Sequence, residues 1–364
     1  MSNKISVKIS SSDEYYITVG VDVLDRAAQY ISNRFSRSKL FIVIDEKVYK
    51  LHNEYINKHL SESFSKIILY VVPSGEKSKS LDQFSRIVDF ILENGVERST
   101  PLMAIGGGVV GDLVGFVAAS VLRGIPLFHV PTTLLAMVDS SIGGKTGVNH
   151  STGKNLIGSF YQPKGVFADV NFLKTLDKKE WVNGLSEIIK YGMIEDSKIL
   201  SEINELVSGK SFALPEKWIP LIEKSAGIKC TIVSKDVLES GVREFLNFGH
   251  TYAHVIEQKG KFQMYSHGEA VFAGMFGAVA ASNSLGANID IANLSQFKSL
   301  YDFSLREIGN DTGELTELML RDKKVKNQTI RLVLLKDIEK PIVQTFEETS
   351  LIEKSWQFLT SEFN

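Results

Sequence analysis

Between residues 40 and 130 the chain repeats one motif: a short apolar run, a polar or glycine-containing stop, and then a stretch with helical spacing. The apolar runs lie at 40–44, closed by Asp45, and at 67–72, 102–105 and 128–130, while 81–92 carries apolar residues at the spacing of a helix face. Positions 5–9 and 15–19 predict an opening pair of strands. Short buried strands alternating with helices predict a largely parallel sheet wrapped by helices. From residue 178 the period changes. Helices are predicted over 178–194, 197–206, 218–234, 250–258 and 268–283, and the β-branched run at 330–335 is the main exception. The expected fold class is therefore an α/β nucleotide-binding domain over residues 1–176 followed by a mainly α-helical domain over 177–364. A length of 364 residues agrees with two cores rather than one.

Composition narrows the function classes. With 41 Lys and Arg against 43 Asp and Glu, the formal net charge is −2, which offers no global basic field for a nucleic acid. The single cysteine, Cys230, rules out an internal disulfide framework and a cysteine-rich metal site, and it fits a reducing compartment. The start of the chain, Met-Ser-Asn-Lys, has no apolar signal-like segment. No stretch approaches the roughly 20 apolar residues of a membrane helix. A cytoplasmic protein is expected, with neither a nucleic-acid nor a membrane partner.

Candidate chemistry begins at Gly106-Gly-Gly-Val-Val-Gly-Asp112, where a predicted strand meets a glycine turn and then a helix. Gly106, Gly108 and Gly111 satisfy G-x-G-x-x-G, a spacing that lets backbone amides approach a pyrophosphate at a helix N-terminus. The turn is not in the first βα unit, and no acidic residue closes a strand about 20 residues later, so it also reads as a tight packing turn. Asp45, at one strand end, can meet ribose hydroxyls, and Ser74-Gly-Glu-Lys-Ser-Lys79, after another, offers amides and charge. Gly143-Gly-Lys-Thr146 is not a P-loop, because the position that must be glycine is Asp139.

Histidine is sparse, seven in all, yet His250, His254 and His267 fall within 18 residues. His250 and His254 are four apart and share a helix face, a spacing suited to a common ion or substrate. A catalytic zinc takes about three protein ligands and keeps one position open, and Glu187, Glu257 and Glu269 are the carboxylates at hand. Lys145, Lys154, Lys190, Lys229 and Arg243 stand beside glycines, amides or apolar residues rather than in charge runs. Glu187 and Lys190, one helical turn apart amid apolar neighbours, read either as an i, i+3 ion pair or as a metal ligand beside a cationic substrate clamp.

Taken in order, eight segments resemble the 3-dehydroquinate synthase family of sugar phosphate cyclases over essentially the whole chain. They are Gly106-Gly-Gly-Val-Val-Gly-Asp112, Val130-Pro-Thr-Thr-Leu-Leu135, Asp139-Ser-Ser-Ile-Gly-Gly-Lys-Thr146, Gly153-Lys-Asn155, Leu185-Ser-Glu-Ile-Ile-Lys190, Leu246-Asn-Phe-Gly-His-Thr251, Ser266-His-Gly-Glu-Ala270 and Arg321-Asp-Lys-Lys324. The chain departs at Tyr252-Ala253, where the family more often has an apolar residue and then glycine.

The resemblance implies an NAD-binding domain, a helical domain and an active site between them. It implies zinc, with cobalt as the alternative, on Glu187, His250 and His267. It implies NAD on Asp45, on the loop Ser74, Gly75, Glu76, Lys77, Ser78 and Lys79, and on the turn Gly107, Gly108, Val109, Val110, Gly111 and Asp112. Thr132, Thr133, Lys145, Lys154, Phe172, Leu173, Lys174 and Thr175 complete that set. Substrate and catalytic contacts are implied for Asp139, Lys145, Asn155, Lys190, Lys229, Arg243, Asn247, His254 and Lys324, and for Arg123 from the second subunit of a homodimer.

The implied reaction converts 3-deoxy-D-arabino-heptulosonate 7-phosphate to 3-dehydroquinate and phosphate. It runs through transient oxidation by NAD, phosphate elimination, re-reduction and intramolecular aldol closure. A 2-deoxy-scyllo-inosose synthase, a metal-dependent polyol dehydrogenase and an inactive NAD-binding regulator are the alternatives. The retained Lys145, Asn155, Lys190, Lys229, Arg243 and Asn247 favour a carboxylate-bearing substrate.

Overall fold

The computed structural model describes residues 3–10, 14–35, 37–209, 211–320 and 329–364. The first elements are β1 (Asn3–Lys8), β2 (Glu14–Gly20), α1 (Leu24–Arg34), β3 (Leu40–Asp45), α2 (Glu46–Leu60), β4 (Ile67–Val72), α3 (Leu81–Glu93), β5 (Leu102–Gly106), α4 (Gly108–Ser120) and β6 (Leu127–Pro131). There follow β7 (Lys145–His150), β8 (Gly153–Phe160), β9 (Gly165–Asp169), α5 (Lys178–Ile194), α6 (Lys198–Ser208), α7 (Ile219–Lys235), α8 (His250–Lys259) and α9 (His267–Ser284). The last are α10 (Ala292–Ser295), α11 (Thr312–Leu320), β10 (Ile330–Leu335), β11 (Pro341–Phe346) and α12 (Ser350–Phe363).

Packing divides the chain into two units, one of residues 1–181 and 206–238 and one of residues 182–205 and 239–364. The hydrophobic pattern predicts one crossing after residue 176, whereas the packing has three. Helix α7 makes the difference. It lies against β1 and β2 of the first unit, where the Lys8 amide donates to Ser234 Oγ at 3.2 Å.

Among its described residues the first unit is built on a seven-stranded sheet in the order β1-β2-β9-β6-β5-β3-β4. Only β1 pairs antiparallel; the other pairings are parallel. Alternation along β3 shows why. Ile42 and Ile44 point into a core with Leu24 and Ile31 of α1 and Ile56 of α2, while Phe41 and Val43 point into one with Ile87 of α3 and Val114 of α4. Helices on both faces bury every residue of β5, β6 and β9, as a parallel sheet requires. The carboxyl ends of β3, β5 and β6 place Asp45, Gly106 and Pro131 along one edge, the edge at which such sheets bind ligands. The hairpin of β7 and β8 packs on α4.

In the second unit α9 is apolar nearly all round and buried accordingly, with α8, α12 and β10 against it. β10 and β11 form an antiparallel pair. Here the Tyr252 departure finds its explanation. Its ring fills the space over Gly277, where a Cβ would stand 2.9 Å from it, and its hydroxyl reaches Ser355 Oγ at 2.6 Å. Edge-on packing against Trp356, with ring centroids 5.0 Å apart, completes the contact.

Candidate metal centre and nucleotide cradle

Residues 182–194 of α5 are buried on every side, so the two charges they carry must neutralise one another. They do. Lys190 Nζ donates to Glu187 Oε2, and both side chains are about 1% exposed. The other carboxylate oxygen, Glu187 Oε1, is buried and makes no hydrogen bond. Two imidazoles face it instead: His250 Nε2 and His267 Nε2, each at 3.5 Å.

Local sequence sets both rings. Gly249 has φ +79°, a left-handed conformation that lets α8 begin at His250, and a Cβ there would stand 2.9 Å from the Met275 amide nitrogen of α9. Helix α9 begins at His267 because Ser266 caps it. Ser266 Oγ accepts from the Glu269 amide at 3.3 Å, and Glu269 Oε2 accepts from the Ser266 amide at 2.7 Å. The Gly268 amide donates to Asn183 Oδ1, and a Cβ on Gly268 would fall 2.4 Å from the Asn183 carbonyl oxygen, so only glycine admits this approach to α5.

The three ligand atoms of Glu187, His250 and His267 lie within 4.8 Å of one another. Two ligands bound to zinc at about 2.1 Å in tetrahedral geometry stand about 3.4 Å apart, close to the observed spacings from Glu187 Oε1. The donor set, a carboxylate and two imidazoles, fits a divalent zinc-type ion. Of the three candidate carboxylates, Glu269 is engaged in the capping box and Glu257 Oε2 lies 3.8 Å from the far nitrogen, Nδ1, of His267. The i, i+4 partner His254 stands with its ring perpendicular to His250 and 6.3 Å away.

Electrostatics follow the same arrangement. Burial works against ionisation of Glu187, but the Lys190 ammonium and then His250 overcome it and hold the carboxyl well below its usual range. Burial drives the His250 ring well below the ordinary imidazole value, which keeps a lone pair for a metal. For His267 burial also acts downward, and the carboxylates of Glu187 and Glu257 outweigh it, raising the ring to about 10.

Arg243, almost wholly buried, and Asn247 sit on a 3₁₀ turn, Val242–Asn247, just before α8. Asn247 Nδ2 donates to Glu239 Oε1 at 3.0 Å. Arg331 of β10 grips the turn through Glu244, Nε to Oε2 at 2.7 Å and Nη2 to Oε1 at 3.0 Å, a bidentate pair that sequence reasoning missed. Only the separation of 87 residues hid it. Lys324 lies outside the described residues.

In the first unit Gly107 caps α4, and Gly108 starts it against Ser140, whose Oγ would stand 3.0 Å from an added Cβ. Val109 and Gly111 belong to the first turn of α4, Gly111 beside the His129 ring, and Val110 is core. Lys79 Nζ donates to Asp112 Oδ2 and to Asn155 Oδ1, both at 2.5 Å, tying the 74–79 loop, α4 and β8 together. Gly75, at φ +104°, turns that loop. Glu76 Oε1 accepts from Asn149 Nδ2 at 2.6 Å, Ser78 Oγ donates to the Pro73 carbonyl at 2.5 Å, and Lys77 is exposed. Asp45 Oδ1 caps α2 through the Lys47 amide at 2.8 Å and accepts from Ser74 Oγ at 2.7 Å.

Beyond β6, the Thr132 amide donates to the Gly106 carbonyl at 3.0 Å, and Thr133 Oγ1 accepts from the Ala136 amide at 3.1 Å. The turn Ala136–Ser140 that follows is π-helical, a winding that recurs at functional sites, and it carries Asp139. Lys229 Nζ donates to Asp139 Oδ1 at 2.6 Å and to its carbonyl at 2.7 Å. Lys145 and Lys154 lie at the starts of β7 and β8. Phe172 is core, edge-on to His52, and Leu173 is buried beside it in sequence. Lys174 Nζ donates to Asn171 Oδ1 at 2.7 Å, and Thr175 Oγ1 bonds His52 Nε2 at 2.7 Å. Arg123, at φ +66°, follows Leu122 at φ +50°. Consecutive left-handed residues other than glycine cost of order 1–3 kcal/mol each and cluster at functional sites.

Known proteins agree with both halves. The pattern described as 3-dehydroquinate synthase N-terminal matches residues 69–183, and that described as 3-dehydroquinate synthase C-terminal matches residues 184–325. The 3-dehydroquinate synthase of Dehalococcoides mccartyi (strain ATCC BAA-2266 / KCTC 15142 / 195) is 39% identical over 335 residues, 92% of this chain and 93% of that one. Among solved structures, 2-deoxy-scyllo-inosose synthase complexed with carbaglucose-6-phosphate, NAD+ and Co2+ superposes with a TM-score of 0.82 at 25% identity, covering 98% of this chain and 99% of that one. The 2-epi-5-epi-valiolone synthase from Streptomyces hygroscopicus subsp. jinggangensis 5008, with NAD+ and Zn2+ bound, shares the fold with a TM-score of 0.84 at 22% identity, covering 98% and 99%. With both halves matched and a relative this similar over nine-tenths of the length, the chain belongs to the 3-dehydroquinate synthase family.

Proposed function

We propose that this chain converts 3-deoxy-D-arabino-heptulosonate 7-phosphate to 3-dehydroquinate and phosphate. It does so as a cytoplasmic homodimer with NAD and a divalent zinc or cobalt ion. The observation that carries the proposal is the buried Glu187 carboxylate, with one oxygen held by Lys190 and the other, without a donor, facing two histidine Nε2 atoms. When bound, NAD supplies a reversible acceptor for hydride and the ion supplies a Lewis acid for hydroxyl oxygens.

The protein's own groups do the rest. Glu187, His250 and His267 hold the ion. Lys190 keeps Glu187 ionised, and with Arg243 it offers buried positive charge, where a hydrogen bond to an anion is stronger than in water. The turn at Gly107 and Gly108 leaves α4 open at its N-terminus for a pyrophosphate, and Lys79 holds Asp112 and Asn155 in place beside that turn. Asp45 at the end of β3, Glu76 in the loop after β4, and Thr132 and Thr133 just past β6 serve the nucleotide, while Asp139, Lys145, Lys229, Asn247, His254 and Lys324 serve the substrate. Arg123 reaches the second subunit, and its left-handed backbone supports a role beyond local packing. Among the described residues no helix is long and apolar enough to cross a membrane, and Cys230 is buried.

The test follows phosphate and NADH together, with NAD supplied well below the heptulosonate phosphate. Phosphate should rise many-fold above the NAD supplied while the NADH absorbance stays flat, and the product should be a carbocycle. Stoichiometric NADH without phosphate release would instead assign a polyol dehydrogenase.

A further inference from the structure

We propose that Glu257 is a positioning residue for the metal centre, holding the proton of His267 on Nδ1 so that Nε2 presents its lone pair to the ion. The proposal rests on the assignment of Glu187, His250 and His267 as ligands. Both imidazoles turn Nε2 toward the same oxygen, Glu187 Oε1, at 3.5 Å. Each then has an acceptor on its other side. For His250 the acceptor is the Phe248 carbonyl, hydrogen-bonded to Nδ1 at 3.2 Å, and for His267 it is the Glu257 carboxylate, whose Oε2 stands at an ion-pair distance of 3.8 Å from Nδ1. An imidazole that ligates through Nε2 has given up its proton there and keeps one on Nδ1, where a facing acceptor holds it.

The two supports differ in kind. The carbonyl behind His250 is backbone and comes with the left-handed turn at Gly249. The ring of His267, at the first position of α9, is about one-third exposed, and its far nitrogen faces the Glu257 carboxylate. Glu257 is only 5% exposed, and burying a carboxylate is costly without compensating charge or hydrogen bonds. It sits seven residues after His250, two turns along the same face of α8, so one helix supplies a ligand and, further along, the support for another. Facing the far nitrogen of the ring, it is placed to orient His267 rather than to ligate.

The experiment measures metal binding by the full-length protein and by Glu257→Ala and Glu257→Gln. Zinc affinity is read by competition with a chromophoric chelator, and the cobalt-loaded forms by visible absorption. Circular dichroism and urea midpoints of the metal-free forms check folding. The alanine variant should bind zinc about 10–100-fold more weakly, the usual scale for losing such a partner. Glutamine retains an oxygen that can accept from Nδ1 and should recover part of the loss, and the cobalt spectrum should shift in the alanine variant. Unchanged zinc affinity in the alanine variant overturns the proposal. So does an equal loss in both variants with an unaltered cobalt spectrum, which would mark Glu257 as packing only. If the unsubstituted protein takes up neither zinc nor cobalt, the ligand assignment itself fails, a result distinct from either.

Discussion

Gly249→Ala puts one methyl group where two helices meet, and its cost can be worked out from the backbone. Gly249 holds φ +79°, where a residue with a Cβ loses about 1–2 kcal/mol. The new Cβ would lie 2.8 Å from Met275 Cγ, which can swing away, but also 2.9 Å from the Met275 amide nitrogen and 3.0 Å from the Val271 carbonyl oxygen, which cannot. Parting α8 from α9 to relieve these contacts adds about 1–3 kcal/mol, as overpacking does. The expected loss is therefore about 2–5 kcal/mol in the second unit. Because His250 starts α8 and His267 starts α9, the same shift should also weaken metal binding.

Urea unfolding of the metal-free protein measures the loss, and the tryptophans separate the units. Trp181 and Trp218 belong to the first unit and Trp356 to the second, so a background with Trp181→Phe and Trp218→Phe reports the second unit alone. A Trp356 transition displaced by less than about 1 kcal/mol, with zinc affinity unchanged, would refute the close-approach argument.

Asp112→Ala should weaken NAD binding more than substrate binding, because it releases Lys79 from the carboxylate beside the glycine turn; calorimetric titration of NAD decides it, and unchanged affinity removes Asp112 from the cradle. His129 is buried, and burial lowers its pKa to about 4, from about 6.5 in an unfolded chain. With the folded value depressed, its contribution to stability is complete above pH 6.5 and is lost as pH falls toward 4, by at most about 3 kcal/mol. Urea midpoints of the first unit taken from pH 7 to 4.5 should fall less steeply in His129→Gln than in the unsubstituted protein; parallel curves would refute the assignment.

What the pattern of residues made legible was set by local physics. β4 falls at 67–72 and α5 at 178–194, both as read from the sequence, because a contiguous apolar run and a sustained helical period each declare themselves locally. The hairpin of β7 and β8 was missed. Its strands are polar and glycine-containing, and they are pinned by contacts such as Lys79 to Asn155 across 76 residues. For α7 the period predicted a helix but could not say which core would bury it. At the metal centre, the i, i+4 spacing singled out His250 and His254, yet the donor atoms that converge come from α5, α8 and α9. Selecting Glu187 over Glu257 and Glu269 required the family resemblance. In space, the capping box and the far-side nitrogen distinguish those two on sight.

The return of residues 206–238 to the first unit also bears on how the protein is made. On the ribosome, a chain that has emerged only as far as residue 181 holds all seven strands of the principal sheet but lacks the helix that covers β1 and β2. The part of that sheet formed by β1 and β2 stays without its helix until α7 emerges, by which time residues 182–205, destined for the other unit, have already left the tunnel without their partners. Neither unit is a contiguous gene segment, so splitting the coding sequence after residue 181 should yield an aggregation-prone half. A fragment extended to residue 238 would carry the missing helix and fold the more readily.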